Sequence, residues 1–407
     1  MRREKRQVRH SALTQPEFRR YFPASWFSSL GSWMLRFLLG WSAWDLTESA
    51  TWVGIVAALM LGPAFILSPL FGIVSDRVNP RYGLIVSMLT HALIALVGGV
   101  SLLADTFGIP MLMVLAFAMG AVTSGHSPMR LALIPLLVER DALPSAVGLS
   151  AMTFNIARIL GPALGAWLIR ESGPAAAFLI SVAMFISSGI VLATLKGVGH
   201  RAPKPREPFL QQLSAGFRYV REDRGIQLIF AFTVINGLLG RTLVELLPAL
   251  SGRFLQGDSG DLATLTASAG VGSIIGGLIL TRQRADTQRL LAMVAGALIA
   301  AGVLLLGLQW MADLLRLGVM IALLSMLTTM AGTGCQTIAQ LTVREDYRGR
   351  VISLWTLLAM SSPALGSAIY GALSDMLGFV PVMAVAGVVG CAVVAGLYAR
   401  RGALLAS

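Results

Sequence analysis

The sequence predicts an all-α membrane protein made of twelve membrane-crossing helices. Three observations carry that prediction. The 407 residues are 56% hydrophobic and only 13% charged, about half of the roughly 25% charge of a soluble domain, and mean hydropathy is +0.74. The apolar residues are gathered into runs long enough to cross a bilayer, which takes about 20 residues per helix. The lysines and arginines fall almost entirely on one side of those runs.

The runs lie near 22–45, 52–74, 83–104, 109–138, 145–169, 175–195, 226–250, 262–280, 290–310, 317–340, 351–376 and 380–399. Pro128, Pro135 and Pro363 interrupt the fourth and eleventh, which membrane helices tolerate where neighbours satisfy the freed carbonyl. An even number of spans returns both termini to one side. That side holds 25 of the 32 lysines and arginines, the opposite loops hold only Arg170, Arg253 and Arg316, and four arginines lie inside spans. The bias places both termini in the cytoplasm. It also explains the net charge of +12 without nucleic acid, whose binders do not bury positive charge between apolar runs. The basic start is expected to lead into a retained first helix, because the run after it is long, contains Arg36 and lacks a small-residue cleavage site.

Several function classes drop out. The three lysines, Lys5, Lys196 and Lys204, follow no glycine-rich loop, which excludes a P-loop ATPase within the chain. Cys335 and Cys391 both sit in apolar runs and offer neither a disulfide framework nor a CxxC metal site. HExxH and GxSxG are missing, so a membrane-embedded enzyme is a remote alternative. No cofactor and no metal site are expected.

The expected organisation is a basic N-terminus at 1–21, a six-helix bundle at 22–195, a linker at 196–225, a second six-helix bundle at 226–399 and a tail at 400–407. In the linker, Phe209, Leu210, Leu213, Phe217 and Val220 share a helical face, with Arg218, Arg221 and Arg224 toward the other side. Both a helix on the inner membrane surface and a solvated linker helix fit that pattern. The halves also repeat. An offset of 205 residues carries Val138-Glu-Arg-Asp141 onto Val343-Arg-Glu-Asp346, Gly72 onto Gly277, Arg77 onto Arg282 and Arg36 onto Arg241. Pro162-Ala-Leu-Gly165 recurs as Pro363-Ala-Leu-Gly366 at an offset of 201, a slip of about one helical turn. Internal symmetry of this kind is what a two-repeat transporter leaves in its sequence.

At Gly72-Ile-Val-Ser-Asp76-Arg77-Val-Asn-Pro-Arg81 the chain resembles the loop between spans two and three of the major facilitator superfamily. Leu46-Thr-Glu-Ser49, Pro128-Met-Arg130, Asn155-Ile-Ala-Arg158-Ile-Leu-Gly161-Pro162, Arg241-Thr-Leu-Val-Glu245 and Arg348-Gly-Arg350-Val-Ile-Ser353 extend the likeness. They are similar to the bacterial efflux branch that includes the enterobactin exporter. The resemblance implies the major facilitator fold: two pseudo-symmetric six-helix bundles around a central cavity, lined chiefly by spans 1, 4, 7 and 10. It further implies a monomer in the bacterial inner membrane that moves a drug-like or siderophore molecule by alternating access, driven by the proton motive force. An importer of an anionic solute and a lysophospholipid flippase are alternatives on that scaffold. One departure is Gly31-Ser32, where many relatives carry an aspartate after the glycine.

Charges inside a bilayer cost at least about 2.5–3.5 kcal/mol at a helix centre and mark function by default. Arg36 and Arg241 lie midway along spans one and seven, where two guanidiniums facing one cavity would clamp a carboxylate or phosphate. An intrahelical pair between Arg241 and Glu245 is the competing reading. Thr333, Gln336 and Gln340 continue a polar stripe from Ser325 and Thr329 toward a cavity or a neighbouring helix. Arg130 is a further substrate candidate, or else reaches the lipid headgroups. Glu245, and Asp45 nearer the end of span one, are the candidate proton carriers. Arg158, Gly161 and Pro162 form a candidate sliding contact. By resemblance, Asp76, Arg77 and Arg81 latch the inner side, with Arg348 and Arg350 in the matching position. His126 is expected to be a hydrogen-bonded packing residue, and His91 is given no role.

Overall fold

A computed structural model describes residues 11–67, 71, 78–196, 209–281, 286–311 and 313–400. Among these, every regular element is a helix. Ten helices are long and apolar enough to cross a membrane. One of them, Arg140–Ala193, is 54 residues long and breaks at Gly173, so it supplies two spans. Helix α1 (Pro16–Thr47) is 32 residues long but is rich in serine and carries several charges, which lowers its hydropathy. Splitting the long helix and adding α1 gives the twelve spans that the sequence predicts.

The next helices are α2 (Ala50–Leu61), α3 (Pro80–Leu103), α4 (Ile109–Leu133) and α5 (Leu143–Ala193). Helix α6 (Phe209–Glu222) lies in the linker and α7 (Arg224–Asn236) begins the second half. A π-helical turn, Gly237–Arg241, and two short helices, α8 (Thr242–Glu245) and α9 (Leu247–Leu255), continue it. Helices α10 (Ser259–Thr281), α11 (Thr287–Leu306), α12 (Leu314–Thr342), α13 (Glu345–Leu377) and α14 (Phe379–Ala399) complete the chain.

Local chemistry sets the helix starts. The Asn79 side chain accepts from the Arg81 amide with Pro80 in the first turn, and Asp223, Asp286 and Asp313 accept in the same way at α7, α11 and α12. Such caps satisfy amides that the helix itself leaves without acceptors. The two tight turns inside the helical layers use glycine. Gly173 has φ 83° and ψ 166°, and Gly378 has φ 87° and ψ 156°. That region is essentially closed to residues with a Cβ. The two glycines are 205 residues apart, the offset of the sequence repeat.

The contacts divide the chain into two units, residues 1–42 with 63–205, and residues 43–62 with 206–407. Helix α2 therefore packs within the second unit, along α13. In the first unit, α3 packs on α4 and α5, with Met34, Leu35, Leu38, Met88, Phe178 and Phe185 fully buried. The outer face of α3 exposes Val86, Leu89, Leu93, Leu96 and Val100, an apolar stripe at helical spacing suited to lipid. In the second unit, Leu228, Phe232, Leu291, Val294, Leu298, Ile338 and Val394 form one buried cluster.

Close approach of helices repeats as well. A Cβ on Gly161 would press on Trp33 and the Met34 amide, and one on Gly366 would press on Leu238 and Thr242. Gly161 and Gly366 are 205 apart, as are Trp33 and Leu238. The structural register thus holds at 205 where the Pro-Ala-Leu-Gly match suggests a slip to 201.

Helix α6 has its own packing surface. Phe217, placed on the apolar face, is 63% exposed. Instead Gly216 lies against Leu354 and Arg350, Tyr219 stacks on Tyr347 with centroids 4.9 Å apart, and Tyr219 and Val220 pack against a buried cluster containing Val351 and Trp355. The linker helix docks on the start of α13.

Candidate functional site

In the first unit the intramembrane arginines gather around two aromatic rings. Span one contributes Trp33, and Phe154 from span five meets it edge to face at 5.5 Å between centroids. The Arg130 guanidinium of α4 lies 5.6 Å from the centre of the Phe154 ring. The Arg158 guanidinium lies 6.0 Å from the centre of the Trp33 ring. Gly161, one turn beyond Arg158, lets α5 close on α1 and brings that guanidinium over the indole. Arg36 is one turn along α1 from Trp33 and is part-buried. Phe154 is 40% exposed, and the indole Nε1 is buried without a hydrogen-bond partner among the described residues. Arg130 has no carboxylate partner among the described residues.

Behind this cluster lies a second polar group. The Ser87 hydroxyl and the His126 Nδ1 are 3.2 Å apart, and His91 Nδ1 is 2.8 Å from the Ser87 carbonyl. The two imidazoles meet edge to face at 6.1 Å, and His91 stacks on Phe185 at 5.0 Å. His126 is the hydrogen-bonded packing residue the sequence suggests. His91 does not face outward with α3's lipid stripe; it is 1% exposed and holds the same network.

In the second unit, span seven is not a regular helix. A π turn over Gly237–Arg241 widens the backbone, and the Thr242 hydroxyl donates to the Gly237 carbonyl at 2.9 Å. The chain then turns at Leu246, after Glu245 ends α8. Arg241, at the end of the π turn, and Glu245, just before the turn at Leu246, thus lie between two irregularities of the span, and both are part-buried. π turns and broken membrane helices concentrate at functional positions. Along α12, Ser325 is buried at 3% exposure, Thr329 and Gln336 are part-buried, and Thr333 and Gln340 are exposed. The stripe runs from the interior of the second unit to its surface. Asp45 is exposed near the end of α1.

Asp76 and Arg77 lie outside the described residues. Arg81 caps the end of the sixth span: its Nε donates to the Leu192 carbonyl at 3.0 Å and a terminal nitrogen to the Ala193 carbonyl. That contact is made within its own unit. Arg350 lies over the Tyr347 ring at 5.3 Å, beside the Tyr219 stack, and Arg348 is exposed. Gly161 and Pro162 are buried in the contact of α5 with α1.

One polar cluster has no counterpart among the residues singled out from the sequence. Asp375, at the end of α13, accepts from the Ser49 hydroxyl at 2.6 Å, the Ala50 amide at 3.0 Å, the Thr51 amide at 2.8 Å and the Thr51 hydroxyl at 2.7 Å. Arg253 adds an ion pair at 3.3 Å. The Ser367 hydroxyl donates to the Gly54 carbonyl at 3.2 Å further along the same helix pair. The legible signal was the Ser-Ala-Thr start of span two, a helix N-terminus that favours an anion. For Trp33 and Phe154 the signal was an aromatic residue one turn before Arg36 and Arg158 respectively.

Comparison with known proteins accounts for the helical repeat. The family described as transmembrane secretion effector, of the major facilitator superfamily, matches residues 8–402. The chain is 26% identical over 377 residues to the enterobactin exporter EntS of Shigella boydii serotype 18, covering 89% of this chain and 86% of the relative. It is 22% identical over 373 residues to the staphyloferrin A transporter of Staphylococcus aureus, covering 90% and 92%. Among solved structures, a bacterial homolog of the human lysosomal transporter Spinster, inward-facing and unoccupied, aligns with a TM-score of 0.69 at 14% identity over 94% of this chain and 96% of that one. A POT family transporter in complex with a thioalcohol-conjugated peptide aligns at 0.74 and 12% identity, over 95% and 96%. These likenesses carry the fold, and the family match carries the membership. The chain belongs to the transmembrane secretion effector family of the major facilitator superfamily, and is a multi-pass membrane transporter rather than an enzyme.

Proposed function

We propose that this transporter exports a small anionic molecule of the siderophore class across the bacterial inner membrane, by alternating access and at the expense of the proton gradient. Arg130 carries the reading. It sits in a membrane span with an aromatic ring for a neighbour and no carboxylate partner among the described residues. A cation in the last turn of a membrane span needs a counter-anion, headgroups or water, and a transported anion supplies one. The names of the enterobactin exporter and the staphyloferrin A transporter, both similar over most of the chain, support the siderophore class. The one-sided distribution of lysine and arginine supports cytoplasmic termini.

In this reading Arg36, Arg130, Arg241, Thr333, Gln336 and Gln340 contact cargo, and Glu245, with Asp45, carries the proton. Asp76, Arg77, Arg81, Arg158, Gly161, Pro162, Arg348 and Arg350 govern the conformational change. The chain works as a monomer without a cofactor. The test is complementation of a siderophore-producing strain that lacks its own exporter, with secreted enterobactin as the readout. Expression of this chain is expected to restore secretion, and Arg130→Gln to reduce it several-fold. Secretion that stays at the exporter-less level, with the chain present in the membrane, would overturn the proposal.

A further inference from the structure

We infer that the first unit carries a recognition surface for the ring of an aromatic anion, made by Trp33, Phe154 and Arg130, with Arg158 holding Trp33 in place; the inference rests on the export reading and narrows its cargo. The geometry supplies both halves of such recognition. Phe154 offers a 40% exposed ring, held edge-on to Trp33 at 5.5 Å. Arg130 and Arg158 stand over the two rings at 5.6 and 6.0 Å. A planar guanidinium can stack on a ring and still present its N–H edge to a carboxylate or phenolate. An aryl ring beside Phe154 would therefore meet a π-face while its charge meets Arg130.

The internal repeat provides a control that the scaffold itself supplies. At the structural offset of 205, Trp33, Arg130, Phe154 and Arg158 correspond to Leu238, Cys335, Ala359 and Pro363. Gly161 and Gly366 make the equivalent helix contacts in the two units, and Gly173 and Gly378 make the equivalent turns. The fold is thus built at these four positions with uncharged residues, and without an aromatic ring at any of them. The repeat itself therefore does not dictate the rings and guanidiniums of the first unit. Arg36, by contrast, matches Arg241 in the repeat and is shared by both units.

The experiment compares three probes by calorimetry on the full-length chain in nanodiscs: 2-naphthoate, its saturated analogue decahydro-2-naphthoate, and neutral 2-naphthylmethanol. The expected result is 2-naphthoate binding about three- to tenfold more tightly than the saturated anion, the range one aromatic or cation–π contact supplies. Phe154→Leu is expected to erase that preference while keeping binding of the saturated anion, and Phe154→Tyr to retain it. Arg130→Gln is expected to erase the preference for 2-naphthoate over the neutral alcohol. Equal affinity for 2-naphthoate and its saturated analogue in the unmodified chain, or a preference that survives Phe154→Leu, would overturn the inference. Restored enterobactin secretion alongside either result would leave the export reading standing; failure of both would remove both.

Discussion

Replacing Asp375 tests how α2 is held in the second unit. The carboxylate accepts from two backbone amides and two hydroxyls at 2.6–3.0 Å. Each donor belongs to the first turn of α2 or its cap, so the substitution acts on one defined stretch of backbone. Hydrogen bonds to a charged acceptor are worth about 1.5–3 kcal/mol each. At 1.36 kcal/mol per factor of ten, the Ala50 and Thr51 amides should exchange about 10- to 150-fold faster in Asp375→Ala. Asp375→Asn keeps one acceptor oxygen and should fall between. Hydrogen–deuterium exchange of the full chain in nanodiscs, resolved to peptides spanning 46–54, reads this directly. Unchanged exchange there in Asp375→Ala, with the rest of the chain protected as before, would refute the reasoning.

Three further outcomes follow from named contacts. A side chain at 161 would meet the Trp33 Cβ at 2.7 Å and the Met34 amide at 3.0 Å; Gly161→Leu should cost about 1–3 kcal/mol as overpacking, read as a lower melting temperature, and an unchanged melting temperature would contradict the contact. Trp355 Nε1 donates to the Thr233 hydroxyl at 2.9 Å between α13 and α7. Interhelical hydrogen bonds in membranes are worth about 0.6 kcal/mol on average, so Trp355→Phe should lower the melting temperature by a few degrees at most, and a larger fall would mean that packing of the indole dominates. Glu245→Gln should leave downhill movement of cargo in proteoliposomes intact and remove its dependence on a pH gradient; coupling that persists would assign the proton to another group.

The sequence makes the spans legible because bilayer thickness fixes how long an apolar run must be. It makes the repeat legible because Arg36 and Arg241, with the two acidic-basic loops, survive at one offset. Other features depend on what lies across space. The π turn at Gly237–Arg241 leaves no local signature distinct from an ordinary helix carrying glycines. The Asp375 cluster joins residues more than 320 positions apart, and Asp375 alone reads as a charge at a span end. His91 is given no role from the sequence because its span is expected to face lipid or scaffold; its own face turns inward, onto His126 and Phe185. Trp33 and Phe154 read as generic membrane aromatics until the closure of α5 on α1 brings them under the arginines.

The central claim is vectorial movement of an unmodified anion, and transport by the purified chain in proteoliposomes tests it most directly. With iron-free enterobactin as the probe and a pH gradient imposed across the bilayer, the account predicts accumulation well above protein-free vesicles. The accumulated compound should be chemically unchanged by mass spectrometry, and accumulation should collapse when a protonophore removes the gradient. Uptake no greater than in protein-free vesicles, or recovery of a chemically altered product, would contradict it.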